Sequence, residues 1–242
     1  MKQDLKIQGL SKLGHYLQQF LQKSDIDYTH DEEELAALMR RSEVENPWFT
    51  QENIRFCFKN WADILTQENI KNWLAEYQVS QLSKKVGLIL AGNIPLVGFH
   101  DVMCVILSNH IPLIKLSSKD RLLLPFFLKK WGEFSEWNLE FQIVERLTEY
   151  DAVIATGSNN TARYLEYYFK DALSIIRKNR TSVAVIKGDE TDEELQLLAE
   201  DIFRYFGLGC RNVTRLLIPK DYELSRLFEN FLGFKDVINH HK

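Results

Sequence analysis

Cys210 stands in Phe206-Gly207-Leu208-Gly209-Cys210-Arg211-Asn212. Glycines at 207 and 209 permit backbone angles that other residues resist. Arg211 beside the thiol makes an electropositive setting that favours thiolate, the nucleophilic form. A small buried hydrophobe is the commoner role for an intracellular cysteine, and Cys57 and Cys104, each on an apolar helix face, are read that way. Asn93 follows Gly92 at the end of the apolar run Val86–Ala91. It is either a turn former or an amide donor aimed at an oxyanion. Lys115-Leu116-Ser117-Ser118 closes the next apolar run, and Gly157-Ser158 falls where a strand meets a helix. That junction offers backbone N–H groups to a phosphate, or serves only as a cap. His100-Asp101 sits early in a helix near these groups, and Asp101 at the positive helix end is equally well explained by structure. Neither a GxGxxG nor a GxxxxGK[ST] phosphate loop occurs, which argues against an ordinary Rossmann dehydrogenase or a P-loop NTPase.

The elements that must position these residues follow from hydrophobic pattern. Val86–Ala91 and Ile111–Leu116 are short apolar runs separated by a helix-length segment, Leu96–Asn109. Run, helix, run is the signature of a βαβ unit in a buried parallel sheet, where ligands sit at the carboxyl ends of the strands. Asn93 and the Lys115–Ser118 segment lie at those ends. Strands are predicted near 86–91, 111–116, 140–144, 151–156, 182–187 and 213–218. Helices are predicted near 96–109, 120–133, 159–177, 191–206 and 221–231. Strand–helix alternation implies a doubly wound α/β sheet with right-handed crossovers. Before it, residues 1–80 read as helical. Leu10, Leu13, Tyr16, Leu17, Phe20 and Leu21 recur at helical spacing, the polar segment Ser24–Glu34 breaks the pattern, and Leu35–Met39 starts another helix. Thr50-Gln51-Glu52-Asn53-Ile54 is repeated as Thr66-Gln67-Glu68-Asn69-Ile70. Each phrase puts a threonine at a helix cap and a glutamate in the first turn.

Composition narrows the function classes. The 242 residues are 45% hydrophobic and 26% charged, with a net charge of −4 and no basic stripe. Nucleic acid and an anionic membrane are therefore poor partners. Three scattered cysteines without CxxC spacing argue against a disulfide framework or a zinc site and suit a reducing cytoplasm. The N-terminus lacks the apolar core of a signal peptide. The greasiest region, 86–107, is interrupted by Asn93, Pro95, His100 and Asp101, so no membrane span is expected. His240 and His241 are adjacent and read as a solvated tail, with no metal site.

Taken in order, AGNIPLVGFHD, IKLSSKD, ATGSNNTARY, RTSVAVI and YFGLGCRNVTRLLIP resemble the LuxC-type fatty acyl-CoA reductases, a branch of the aldehyde dehydrogenase superfamily. The resemblance covers most of the chain, including NPWFTQENI in the helical lead-in. It implies an aldehyde dehydrogenase-like, Rossmann-type doubly wound α/β sheet with an N-terminal helical segment. Residues 1–80 would be that segment, 81–190 the nucleotide-binding domain, and 191–242 the start of an incomplete, cysteine-bearing catalytic domain. By position Cys210 matches the nucleophile and Asn93 the oxyanion-hole amide. Lys115, Ser117 and Ser118 match the segment that holds the adenosine ribose or its phosphate. Gly157 and Ser158 match the Gly-Ser pair near the pyrophosphate, and Gly92 opens the turn beneath the cofactor.

Two departures bear on the activity. Ordinary aldehyde dehydrogenases carry a glutamate base before the stretch corresponding to Thr181–Ile186, where this chain has Lys178-Asn179-Arg180. A hydrolytic enzyme needs that base to activate water; a reductase starting from a thioester does not. The chain also stops soon after the cysteine segment, so a C-terminal truncation is expected. The resemblance then implies reduction of a fatty acyl-CoA or acyl-protein thioester to an aldehyde through a Cys210-linked acyl group. NADPH is the implied cofactor, with NADH left open. A homo-oligomer or an acyl-transferring partner protein is the implied assembly. Two rival readings are an NAD(P)-dependent aldehyde dehydrogenase working in the oxidising direction and a nucleotide- or acyl-binding module without turnover.

Overall fold

Four helices precede the first strand in the computed structural model, which describes residues 2–240. They are α1 (Lys2–Gln22), α2 (His30–Glu45), α3 (Gln51–Ile64) and α4 (Gln67–Leu74). The stripe predicted for α1 is its inner face: Leu10, Leu13, Leu17 and Phe20 are buried. The threonine caps are real, since Thr50 Oγ1 accepts Asn53 N–H at 3.2 Å and Thr66 Oγ1 accepts Asn69 N–H at 3.1 Å. The predicted break is shorter than Ser24–Glu34, because α2 already starts at His30. Glu32 folds back to accept Thr29 N–H at 2.7 Å and pairs with Lys23 Nζ at 2.8 Å, so an acidic segment becomes a capped helix start.

The chain divides into two compact units, Met1–Lys178 and Asn179–Lys242. In the first, a five-stranded sheet is built from β1 (Lys85–Ile89), β2 (Ile111–Lys115), β3 (Gln142–Ile143), β4 (Ala152–Thr156) and β5 (Leu173–Arg177). Its order is β3-β2-β1-β4-β5, and every neighbouring pair is parallel. Helices α5 (Phe99–Leu107), α6 (Leu123–Ser135) and α7 (Asn159–Tyr168) connect the strands. Winding outward from β1 and then reversing to β4 puts the topological switch point between those two strands. The sheet interior uses Leu113, Val153 and Ala155 with Leu147 and Phe169.

The helical lead-in belongs to this same unit. Trp131 on α6 donates from Nε1 to Lys6 O at 2.8 Å. Phe58 of α3 and Phe99 of α5 both pack on Phe127 of α6, with ring centroids 5.3 and 5.4 Å apart. Lys130, whose side chain is 3% exposed, keeps its charge by pairing with Asp31 at 2.6 Å and Glu133 at 2.8 Å.

One predicted helix is wrong. The segment 159–177 is α7 to Tyr168 and then strand β5. Phe169 caps α7 and is buried against the sheet, so the chain turns back there. Leu173–Arg177 then completes the β4 edge in register Ala152↔Leu173 to Thr156↔Arg177.

In the second unit, β6 (Ser182–Val185) and β7 (Val213–Leu217) pair in parallel through α8 (Asp192–Phe203), and α9 (Leu224–Phe231) follows. Its core is Ile186, Leu195, Leu198 and Leu227. His240 stacks on Phe206 with centroids 4.0 Å apart, where a solvated tail was expected; His241 and Lys242 lie outside the described residues. Among the described residues no helix is long and apolar enough to cross a membrane.

Candidate active site

The carboxyl edge of the five-stranded sheet collects most of the residues singled out above. β1 runs out into Gly92 and Asn93, β2 into Leu116, Ser117 and Ser118, and β4 into Gly157 and Ser158. Gly92 is required by contact: a Cβ there would sit 2.5 Å from Ser117 Oγ and 2.7 Å from Ser117 Cβ. The two strand-end loops therefore touch through a missing side chain. Gly157 is required in the same way, since a Cβ would sit 2.9 Å from Thr161 Cβ. Its N–H donates to Arg177 O at 3.1 Å, and Ser158 caps α7 by accepting Thr161 N–H at 3.2 Å. The dipole-positive end of α7 thus begins at the carboxyl end of β4.

Lys115 closes β2, and its Nζ donates to Glu145 O at 2.9 Å. Ser117 Oγ accepts Lys119 N–H at 3.2 Å, and Ser118 is exposed. Leu96, Val97 and Gly98, assigned by pattern to a helix, are turn residues before α5. Leu96 has φ +54°, a left-handed angle that a branched side chain resists.

His100 and Asp101 belong to a larger arrangement. Asp101, 7% exposed at its side chain, pairs with Arg177 Nη1 at 2.5 Å. That contact ties the first turn of α5 to the end of β5. Burial opposes ionisation of Asp101, but His100 and Arg177 hold its carboxyl below the usual carboxylate range. His100 in turn is raised to about 9, first by Asp101 and then by Cys104, whose Sγ lies 3.7 Å from Nδ1. Cys104 is thus half-buried beside an imidazole, while Cys57 is buried and donates to Pro95 O at 3.3 Å.

Sequence reasoning missed Arg177 and Asp120. A basic residue ending an apolar run marks Arg177, although the run was taken as helix. Asp120 looked like the start of a helix at 120, but α6 begins at Leu123 and its cap position, Leu122, makes no side-chain bond. The Asp120 carboxyl serves the β1–α5 loop instead, its Oδ2 accepting Leu96 N–H at 2.7 Å.

Cys210 lies in the second unit, half-buried in the turn between a 3₁₀ segment, Arg204–Gly207, and β7. The turn is well anchored. Asn212 N–H donates to Gly209 O at 3.1 Å, and Asn212 Nδ2 donates to Asp201 O at 2.8 Å and to Arg204 O at 3.1 Å. Of the two glycines expected to allow unusual angles, Gly207 has φ +68° and Gly209 has no positive φ. A Cβ on Gly209 would meet Asn212 Oδ1 at 2.4 Å. Arg204 holds Glu200 through two bonds of 2.6 and 2.7 Å. Among the described residues no three His, Cys, Asp or Glu side chains gather as a metal site.

The fold has clear counterparts among solved structures. An indole-3-acetaldehyde dehydrogenase bound to NAD+ matches with a TM-score of 0.64 over 96% of this chain and 50% of its own, at 14% identity. The aldehyde dehydrogenase KauB of Pseudomonas aeruginosa gives 0.64 over the same shares at 15% identity. An NAD-dependent benzaldehyde dehydrogenase of Corynebacterium glutamicum gives 0.63 over 94% of this chain and 53% of its own, at 13% identity. The chain spans about half the length of these structures. No curated protein sequence matches it. At such identities shape assigns only the aldehyde dehydrogenase fold; residues 48–227, which take in the three strand-end loops and the cysteine turn, match a family model of their own. On that match the chain belongs to the acyl-CoA reductase (LuxC) family.

Proposed function

We propose that this chain carries the nucleotide site and the nucleophile of an aldehyde-forming acyl-CoA reductase, acting on a fatty acyl-CoA or acyl-protein thioester. The observation that carries the reading is the family match over residues 48–227, which contains every residue assigned a role here.

A nicotinamide nucleotide would bind at the carboxyl edge. The strand order reverses between β1 and β4, the crevice where open α/β sheets hold dinucleotides. Side-chain-free positions at Gly92 and Gly157 and the capped start of α7 line that edge. Gly157, Ser158 and the first α7 amides would take the pyrophosphate. Lys115, Ser117 and Ser118 would take the adenosine ribose or its phosphate. When bound, the nucleotide supplies the hydride that lowers an acyl group to the aldehyde level.

The protein's own chemistry centres on the thiol. Cys210 thiolate would attack the thioester carbonyl, forming a new C–S bond and expelling the carrier thiolate. The Asn93 side-chain amide and the Cys210 N–H would donate to the developing oxyanion, and one such donor is typically worth roughly 3–4 kcal/mol. Release of the aldehyde restores the thiolate. No carboxylate stands at positions 178–180 to activate water, which favours reduction over hydrolysis of the acylated cysteine.

NADPH is the proposed cofactor, with Lys115 reading the 2′-phosphate. Lys115→Ala should weaken NADPH about ten-fold, the loss of one charge-assisted bond, and NADH less than about two-fold. Fluorescence titration with each nucleotide measures this, and equal weakening would remove the lysine from the phosphate role. The rival reading is an acyl- or nucleotide-binding module without turnover. Aldehyde formation from acyl-CoA and NADPH by this chain supports the reductase. Nucleotide binding without aldehyde supports the module, and acid release from the acylated protein in water alone supports an oxidising dehydrogenase.

A further inference from the structure

The loop joining β1 to α5 carries Asn93 and is held from three sides. Cys57 on α3 donates to Pro95 O at 3.3 Å. Gly92 lies against Ser117. From the β2–α6 loop, Asp120 Oδ2 accepts Leu96 N–H at 2.7 Å, and Asp120 N–H donates to Ser117 O at 3.2 Å. The Asp120 bond therefore acts on the residue with φ +54°, a left-handed angle that L-residues resist. Asp120 is only 7% exposed, and its Oδ1 has no hydrogen-bond partner among the described residues. Buried carboxyl oxygens are ordinarily satisfied; here the side chain's one bond is Oδ2 to the Leu96 amide.

We propose that Asp120 is a positioning residue: it latches residues 91–98 through the Leu96 amide and so sets the loop that presents Asn93, tightening and loosening with its own proton. The proposal rests on the reading of Asn93 as the oxyanion amide. Burial raises the Asp120 carboxyl to about 7, opposed only by the Leu96 N–H. The nearby charged groups are engaged or solvated: Lys119 is exposed, Arg121 holds Glu45 at 2.9 Å, and Lys115 holds Glu145 O. On α5, Asp101 is committed to Arg177 and His100. Ionised, Asp120 makes a charge-assisted bond to Leu96; protonated, it makes a weaker neutral one. The loop is accordingly held more firmly above neutrality than below it.

The test reads the Leu96 amide directly. Labelling the full chain with carbonyl-¹³C proline and ¹⁵N leucine selects leucines that follow proline, namely Leu96 and Leu113. Leu113 lies in mid-strand β2 and serves as the internal reference. The Leu96 amide proton should move downfield as pH rises, with a midpoint near 7, while Leu113 stays level and Asp120→Asn abolishes the movement. In parallel, the pH profile of thioester reduction should show a limb with that midpoint in the wild type. Asp120→Asn should lack it. A Leu96 amide that does not titrate, or that titrates equally in Asp120→Asn, overturns the latch. Asn93→Ala separates the two ideas. A titrating Leu96 with unimpaired reduction in Asn93→Ala supports the latch and removes only the oxyanion role. A level Leu96 with slow reduction in Asn93→Ala removes the latch and leaves that role standing.

Discussion

Cys210→Ala is expected to abolish covalent capture of the acyl group and leave nucleotide binding nearly intact. The thiol is the only proposed nucleophile, and losing the nucleophile of a catalytic set costs on the order of 10⁶ in turnover. The substitution itself is mild. Cys210 sits half-buried in a turn whose geometry is fixed by Asn212 and Gly209, not by the thiol. Folding should be retained, and the second unit's core of Ile186, Leu195, Leu198 and Leu227 is untouched. The measurement is incubation with radiolabelled acyl-CoA, denaturation, and counting of protein-bound label. Label retained by Cys210→Ala at the wild-type level would move the nucleophile elsewhere. Cys104, with His100 3.7 Å from its sulfur, is the next place to look, and Cys104→Ala is the matching control. The paired measurement, nucleotide affinity by fluorescence, should change less than about two-fold, because thiol and dinucleotide contribute separate binding terms.

Much of this arrangement was readable before any coordinates. Val86–Ala91 and Ile111–Leu116 are bounded runs with a helix between them, and the pattern held because a strand buried on both faces has no alternative to continuous apolar residues. Thr50 and Thr66 were legible as caps because a cap is a local bond three residues long. The βα junctions at Gly92 and Gly157 were legible for a related reason: a turn signal following a buried strand places residues at the carboxyl edge whatever the rest of the sheet does. Strand β5 was not legible. Leu173, Ser174 and Ile175 are exposed in the described chain, so the strand buries little, and its sequence continues the apolar spacing of α7 without a glycine or proline between them. What ends the helix is the burial of Phe169 against the sheet, a tertiary fact. Arg177 and Asp101 are 76 residues apart, and no spacing rule joins such a pair. Asp120 failed for a subtler reason. An aspartate ahead of Leu122-Leu123-Leu124 has the composition of a helix start, and only the approach of Leu96 diverts its carboxyl.

That diversion has a second consequence, in stability. Asp120→Asn is expected to remove the loss of stability that this carboxyl causes in the first unit between about pH 3.8 and 7. The folded carboxyl titrates near 7 against 3.8 when unperturbed, and burial is the leading cause. Below pH 3.8 both the folded and unfolded chains hold the proton, and the group has no net effect. Between 3.8 and 7 the unfolded chain has released it and the folded chain has not, so stability falls as pH rises across that window. Above it the deficit is constant. At about 1.4 kcal/mol per pH unit, the full deficit is roughly 4 kcal/mol, a large share of a domain's stability. Asparagine cannot ionise and can still accept the Leu96 N–H, but its amide nitrogen would sit where Oδ1 has no partner, a cost of about 1–3 kcal/mol. The two stability curves should therefore cross: wild type is the more stable protein in acid, and Asp120→Asn the more stable in alkali. Urea unfolding followed by tryptophan fluorescence reads this unit alone, because Trp48, Trp61, Trp73, Trp131 and Trp137 all precede residue 179. His100, lifted to about 9 by Asp101 and Cys104, titrates in both proteins and cancels in the difference between their curves. Parallel curves with no crossing would mean that the carboxyl ionises in the fold as easily as in water, and the buried-acid account of this loop would fall with it.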